Sequence, residues 1–165
     1  MIVDFNELPN WSKLWVFPSN RKFYPQEIPQ LEESLKSFLN GWNSDSETFN
    51  CSFELKYNRF IIISVDNSNI SLSLKTYDDL TAFIQGIEKE FDVALFDKIN
   101  VCYKQGEFVQ YKDIIEFKKM MKNKGVSSKT IVFDNMITSK EDYANNWDIN
   151  IMDSWLGRFL QKKHS

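Results

Sequence analysis

The stretch Cys51-Ser52-Phe53-Glu54-Leu55-Lys56-Tyr57-Asn58-Arg59-Phe60-Ile61-Ile62-Ile63-Ser64-Val65 decides the fold. In its first half, Cys51, Phe53, Leu55 and Tyr57 alternate with Ser52, Glu54 and Lys56, the pattern of a strand with one buried face. Asparagine tolerates a positive φ, so Tyr57-Asn58-Arg59-Phe60 predicts a tight hairpin. The second half, Phe60 to Val65, is apolar on both faces, which predicts a central strand.

Upstream, Leu14-Trp15-Val16-Phe17 reads as a short strand stopped by Pro18. Apolar residues then recur at Ile28, Leu31, Leu35, Phe38, Leu39 and Trp42, one face of a helix whose first turn suits Pro25 or Pro29. Downstream, Ser71 to Leu74 alternates again and predicts a short edge strand. Thr76 is expected to cap a second helix, with Asp79 as its capping-box partner and Leu80, Phe83, Ile84, Ile87 and Phe91 as its buried stripe. Ile99, Val101 and Tyr103 predict another strand, turning near Gln105-Gly106 into Phe108, Val109 and Tyr111. A third helix carries Ile114, Phe117 and Met121 and ends at Gly125. Ile131-Val132-Phe133 predicts a last strand before a tail with Trp147 and Trp155.

Strand, helix, two strands, helix, strand is the split βαβ order. The expectation is therefore an α+β fold, with a ferredoxin-like split βαβ sheet core from about Leu14 to Tyr103 and a C-terminal αβ extension. The 165 residues fit a single domain, 1–165. With 25 aromatic residues but only 5 Gly, a few large side chains supply much of the buried area.

The formal charge of −3 gives no global positive field, which disfavours nucleic acid and anionic membrane as partners. Met1 to Glu7 carries acids where a signal peptide needs a basic start, and no apolar run approaches the ~18 residues of a membrane span. Cys51 and Cys102 match no paired metal or redox spacing. A reduced, cytoplasmic protein is expected.

Most general-base and nucleophile schemes use histidine, and the only one here is His164, beside the last residue. No glycine is followed by lysine, so no P-loop exists, and no two glycines lie close enough for a dinucleotide fingerprint. No cofactor is expected. Asp66, Asp78, Asp79 and Asp97 fall at predicted element ends, where convergence could hold a divalent metal. The competing reading gives Asp78 and Asp79 to a helix N-terminus and Asp97 to a turn. The lysines from Lys112 to Lys129 make the third helix locally basic, which a solvated helix face explains.

Three polar–aromatic segments remain as binding candidates. Asn20 and Arg21 directly follow the first strand, where a guanidinium can grip a carboxylate or phosphate. Asn135 and Thr138 follow the last strand in the same manner, and Trp155 with Arg158 adds a ring and a second guanidinium. Together they form either a docking patch or an intramolecular clasp in which Trp155 and Phe159 pack and Arg158 pairs with an acid.

Ser19-Asn20-Arg21-Lys22-Phe23, Lys56-Tyr57-Asn58-Arg59-Phe60, Phe96-Asp97-Lys98, Ile131-Val132-Phe133-Asp134-Asn135 and Asp153-Ser154-Trp155 resemble a family of uncharacterised bacterial proteins labelled "ABC transporter ATPase". The resemblance runs over nearly the whole chain. Its label implies ATP hydrolysis, which the missing P-loop contradicts. Family members tend to carry Ser-Gly-Cys-Ser-Ile-Asp where this chain has Ser73-Leu74-Lys75-Thr76-Tyr77-Asp78, and a histidine where it has Leu156. Those departures turn the expectation from enzyme to a non-catalytic binding or interaction protein, whose partner is a macromolecule or small ligand. The alternative is a divalent-metal-dependent hydrolase, of phosphoesterase or nuclease type, using Asp66, Asp78 and Asp97.

Overall fold

A computed structural model describes residues 1–161. The chain is mixed α+β, with two antiparallel sheets. β1 (Lys13–Pro18), α1 (Ile28–Gly41), β2 (Cys51–Lys56), β3 (Phe60–Val65) and α2 (Leu74–Phe91) come first. Then follow β4 (Val101–Gln105), β5 (Phe108–Lys112), α3 (Ile114–Lys122), β6 (Ile131–Phe133), α4 (Lys140–Asn146), β7 (Asp148–Asn150) and α5 (Gly157–Gln161).

The first sheet has the order β1-β3-β2, with β3 central as its apolar run requires. The hairpin between β2 and β3 turns at Tyr57 and Asn58, with φ of 55° and 51°, and Arg59 N–H closes it onto Lys56 O at 3.0 Å. The strand expected to complete a ferredoxin-like sheet beside β1 does not do so. β4 belongs instead to a second sheet of order β5-β4-β6-β7. Part of the free edge of β1 is taken by later chain, since Leu14 N–H donates to Thr138 O and Lys140 N–H to Ser12 O. Two further expectations are corrected. Ser71 to Leu74 forms no strand but leads into α2, and Ser73 rather than Thr76 caps that helix, its Oγ accepting from Thr76 N–H at 3.2 Å. Asp79 is not a capping partner; it pairs with Lys75 one turn back. Gly125 also differs, because α3 ends at Lys122 with Asn123 as its C-cap, and the left-handed residue is Lys124.

Alternation along β3 explains the layering. Ile61, Ile63 and Val65 face Leu31, Leu35 and Leu39 of α1 and Leu80, Ile84 and Ile87 of α2. Phe60 and Ile62 point the other way, onto Cys102, Phe133 and Trp147 around the second sheet. The far side of that sheet, Val101, Tyr103 and Val132, packs on Phe117 and Met121 of α3 and on Ile151 and Leu156. The order is thus helices, sheet, sheet, helices, and burial of each core leucine contributes about 1.5–3 kcal/mol. Cys51 and Cys102 are free, fully buried thiols, one in each sheet. Burial pushes Cys102 up to about 12, against the pull of the Arg59 charge.

Candidate functional site

β6 runs out into Asp134-Asn135-Met136, while the turn Ile151–Asp153 leads the chain into Ser154-Trp155. Between these segments and Lys98-Ile99-Asn100 lies a cavity of about 220 Å³. Ile99, Met136 and Trp155 stand at its rim, 69%, 66% and 52% exposed, although burial would ordinarily be expected of such side chains. Asp134, Met136, Ile149 and Asp153 also line an adjoining depression reaching Thr138 and Asp142, so the two make one cleft. Asp134, Asp142 and Asp153 have no cationic partner within 4.0 Å among the described residues. Lys98 lines the cavity but not the adjoining depression; it is half-buried, its ammonium 5.7 Å from the centre of the Phe17 ring, and burial lowers its pKa.

Local chemistry shapes the walls. Asp134 accepts from Met136 N–H at 3.0 Å, which turns the chain outward and leaves Met136 on the rim. Asn135 is buried, and its Oδ1 accepts from Trp147 Nε1 at 3.0 Å, fixing the floor. Its Nδ2 has no hydrogen-bond partner among the described residues. Ser154 Oγ donates to Ile151 O and accepts from Leu156 N–H, holding Trp155 at the corner, where its ring meets Phe159 edge-on at 6.1 Å.

Asn135, Thr138 and Trp155 of the candidate set therefore line one cleft. Arg158 lines none of it; it lies over the Phe159 ring at 4.9 Å without an acidic partner among the described residues. Asn20 and Arg21 lie elsewhere and form a clasp across the end of α2. Asn20 exchanges hydrogen bonds with the Ala94 backbone at 3.1 and 2.9 Å. Arg21 grips Glu27 through both carboxylate oxygens at 2.9 and 3.1 Å and donates to Phe91 O, a carbonyl at the helix C-terminus. The sequence marked Ile99 only as a strand residue and did not single out Met136; their exposure follows from turns that periodicity does not report.

The Arg21 clasp sets an expected pH response. Hydrogen bonding from Arg21 holds the Glu27 carboxyl below the ordinary glutamate range. A depressed folded pKa gives stability that is present above the unfolded value and lost as pH falls through the folded one. Between about pH 5 and pH 3, urea unfolding should show a steeper loss in the native protein than in Glu27→Gln, the difference amounting to ~1 kcal/mol or less. Parallel slopes would show that the pair contributes nothing.

The aspartates of the hydrolase alternative do not gather. Asp66 caps the turn to Ser68, Asp78 lies on α2, and Asp97 accepts from Asn100. Among the described residues no group of three His, Cys, Asp or Glu could hold a metal. His164 lies outside the described residues. No described helix is long and apolar enough to cross a membrane. Comparison with known proteins finds no matching family model, no matching curated protein and no matching solved structure.

Proposed function

We propose that the chain is a non-catalytic binding protein that takes a basic, partly apolar segment of a partner protein in the Trp155 cleft. The observation that carries this reading is the pairing of an exposed apolar rim, Ile99, Met136 and Trp155, with three lining carboxylates, Asp134, Asp142 and Asp153, that have no cationic partner among the described residues. The rim offers area that water hydrates poorly, and a cavity of about 220 Å³ suits one or two apolar side chains. Lys98 lines the cavity and repels a cation there, so a lysine or arginine of the partner belongs in the adjoining depression, beside Asp142 and Asp153. Buried unpaired thiols fit a reducing, cytoplasmic location. The β1-β3-β2 arrangement supports a split βαβ unit as the scaffold, and the bacterial family resemblance rests on its five motifs.

Selection of a random hexapeptide display library tests the reading. The native protein should enrich peptides that join Lys or Arg to a large apolar residue. Trp155→Ala removes an exposed ring, leaves the core intact, and should weaken the selected peptides at least about tenfold. Asp153→Asn should flatten the salt dependence. If Trp155→Ala binds the same peptides with the same affinity, the cleft is not the site.

A further inference from the structure

A second region carries charge that the chain does not neutralise. Arg59 follows the Tyr57-Asn58 turn and is carried inward between the sheets, 9% exposed. Its Nη1 donates to Ser19 O at 3.1 Å, and no carboxylate of the described residues lies within 4.0 Å of it. The guanidinium has five N–H donors, and the others make no hydrogen bond among the described residues. The only fully buried side-chain polar atoms without a partner there are Ser12 Oγ and Asn135 Nδ2, so the free nitrogens of Arg59 keep contact with solvent.

Arg59 lines a cavity of about 300 Å³ between the β2–β3 turn and the start of β5, together with Lys22, Glu107 and Gln110. Lys22 is exposed and belongs to no ion pair among the described residues. The neighbours Cys102 and Tyr111 offer no compensating charge at neutral pH, because burial raises the pKa of both. Burying a guanidinium without a counter-charge is costly, and an anion from solution is the direct way to recover that loss.

We propose that Arg59 and Lys22 form a binding site for a small oxyanion of the phosphate type in this cavity. Two cationic residues line one space, which suits a dianion better than a carboxylate. The free donors of Arg59 supply the fork that phosphate oxygens accept from, and the exposed Lys22 supplies a second, point charge. Gln110 adds an amide donor on the wall. Tyr57 and Phe108 are exposed at the same cavity, so an ester carrying an organic body has rings to rest on. Glu107 is the one acid in the lining and opposes the ligand. This site is separate from the Trp155 cleft, and no lining residue is shared.

Phosphorus NMR titration of inorganic phosphate at fixed ionic strength tests the proposal, with acetate as competitor. The native protein should shift and broaden the phosphate resonance in a saturable manner. Arg59→Gln should weaken binding at least about tenfold, since a hydrogen-bonded charge pair is lost. Lys22→Ala should weaken it about two- to fivefold, and Glu107→Gln should strengthen it. Lys22 and Glu107 are exposed, so their variants keep the test decisive if Arg59→Gln does not fold. No saturable response in the native protein, equal affinity in Lys22→Ala and Glu107→Gln, or competition by acetate at the same concentration as phosphate would each overturn it.

Discussion

Trp147→Ala is expected to lower the unfolding free energy by about 4–5 kcal/mol, close to the whole stability of many domains this size. Trp147 lies just before β7, and its ring packs on Phe60 at 4.9 Å, Phe133 at 4.8 Å and Tyr143 at 5.0 Å. It thereby joins the first sheet, the second sheet and α4 at one point. Removing a buried tryptophan side chain costs about 3–5 kcal/mol through lost transfer energy and the cavity left behind. The indole N–H also satisfies Asn135 Oδ1, and orphaning that oxygen in a buried site adds about 1 kcal/mol or more. Trp147→Phe should keep most of the ring contacts and lose the hydrogen bond, at about 1–2 kcal/mol. Urea unfolding followed by circular dichroism reads both values. A loss below about 2 kcal/mol for the alanine variant would mean that Trp147 is not the seam between the sheets.

Gly157→Ala and Gly86→Ala should move stability in opposite directions. A Cβ on Gly157 would stand 2.8 Å from Met152 O, 2.9 Å from Met152 Cα and 3.0 Å from Ile151 O. These are backbone atoms of the tight turn that carries Trp155, so they cannot swing aside as a flexible side chain would. The turn must shift, and overpacking of this kind costs about 1–3 kcal/mol. Because Trp155 and Leu156 stand between Met152 and Gly157, peptide binding in the cleft should fall with stability. Gly86 is exposed in the middle of α2, with nothing within 4 Å of an added Cβ. Alanine there should stabilise by about 0.5–1 kcal/mol through helix propensity. Thermal melts of the two variants decide it; a neutral Gly157→Ala would show that the turn relaxes freely.

The first half of the fold was legible because its signals are local. Apolar residues at Leu31, Leu35 and Leu39, each four apart, mark one buried stripe of α1, and asparagine in the Tyr57-Asn58 turn marks the hairpin. The order of strands across the whole molecule was not legible, because pairing is decided between distant segments. β4 carries Val101 and Tyr103 toward α3 and Cys102 toward the first sheet, which places it in a second layer rather than at the edge of β1. A clue was present in β3. A strand apolar on both faces needs cover on both, and two helices on one side leave the other to be covered by something else. β7 is three residues long and alternates too briefly to be read from periodicity. The same division applies to the site. Asn135 and Trp155 were visible as polar and aromatic residues after predicted elements, whereas the engagement of Asn20 and Arg21 with the end of α2 depends on where that helix stops. Arg59 was visible as a member of a turn and of one resemblance motif, but nothing in the local pattern states that its side chain runs inward.

The two buried thiols make the protein its own reporter of breathing motions. Cys51 lies in the first sheet and Cys102 in the second, both without solvent exposure. A thiol-modifying reagent therefore reaches either sulfur only during an opening, and the modification rate at each measures how often its own layer comes apart. Burial also raises the pKa of each thiol, so the nucleophilic thiolate is scarce while the layers stay closed. Equal rates at the two positions mean that the double-sheet body opens as one unit. Unequal rates identify which layer yields first, and hence whether the Cys102 layer, which carries the Trp155 cleft, is held more loosely than the helical layer behind Cys51.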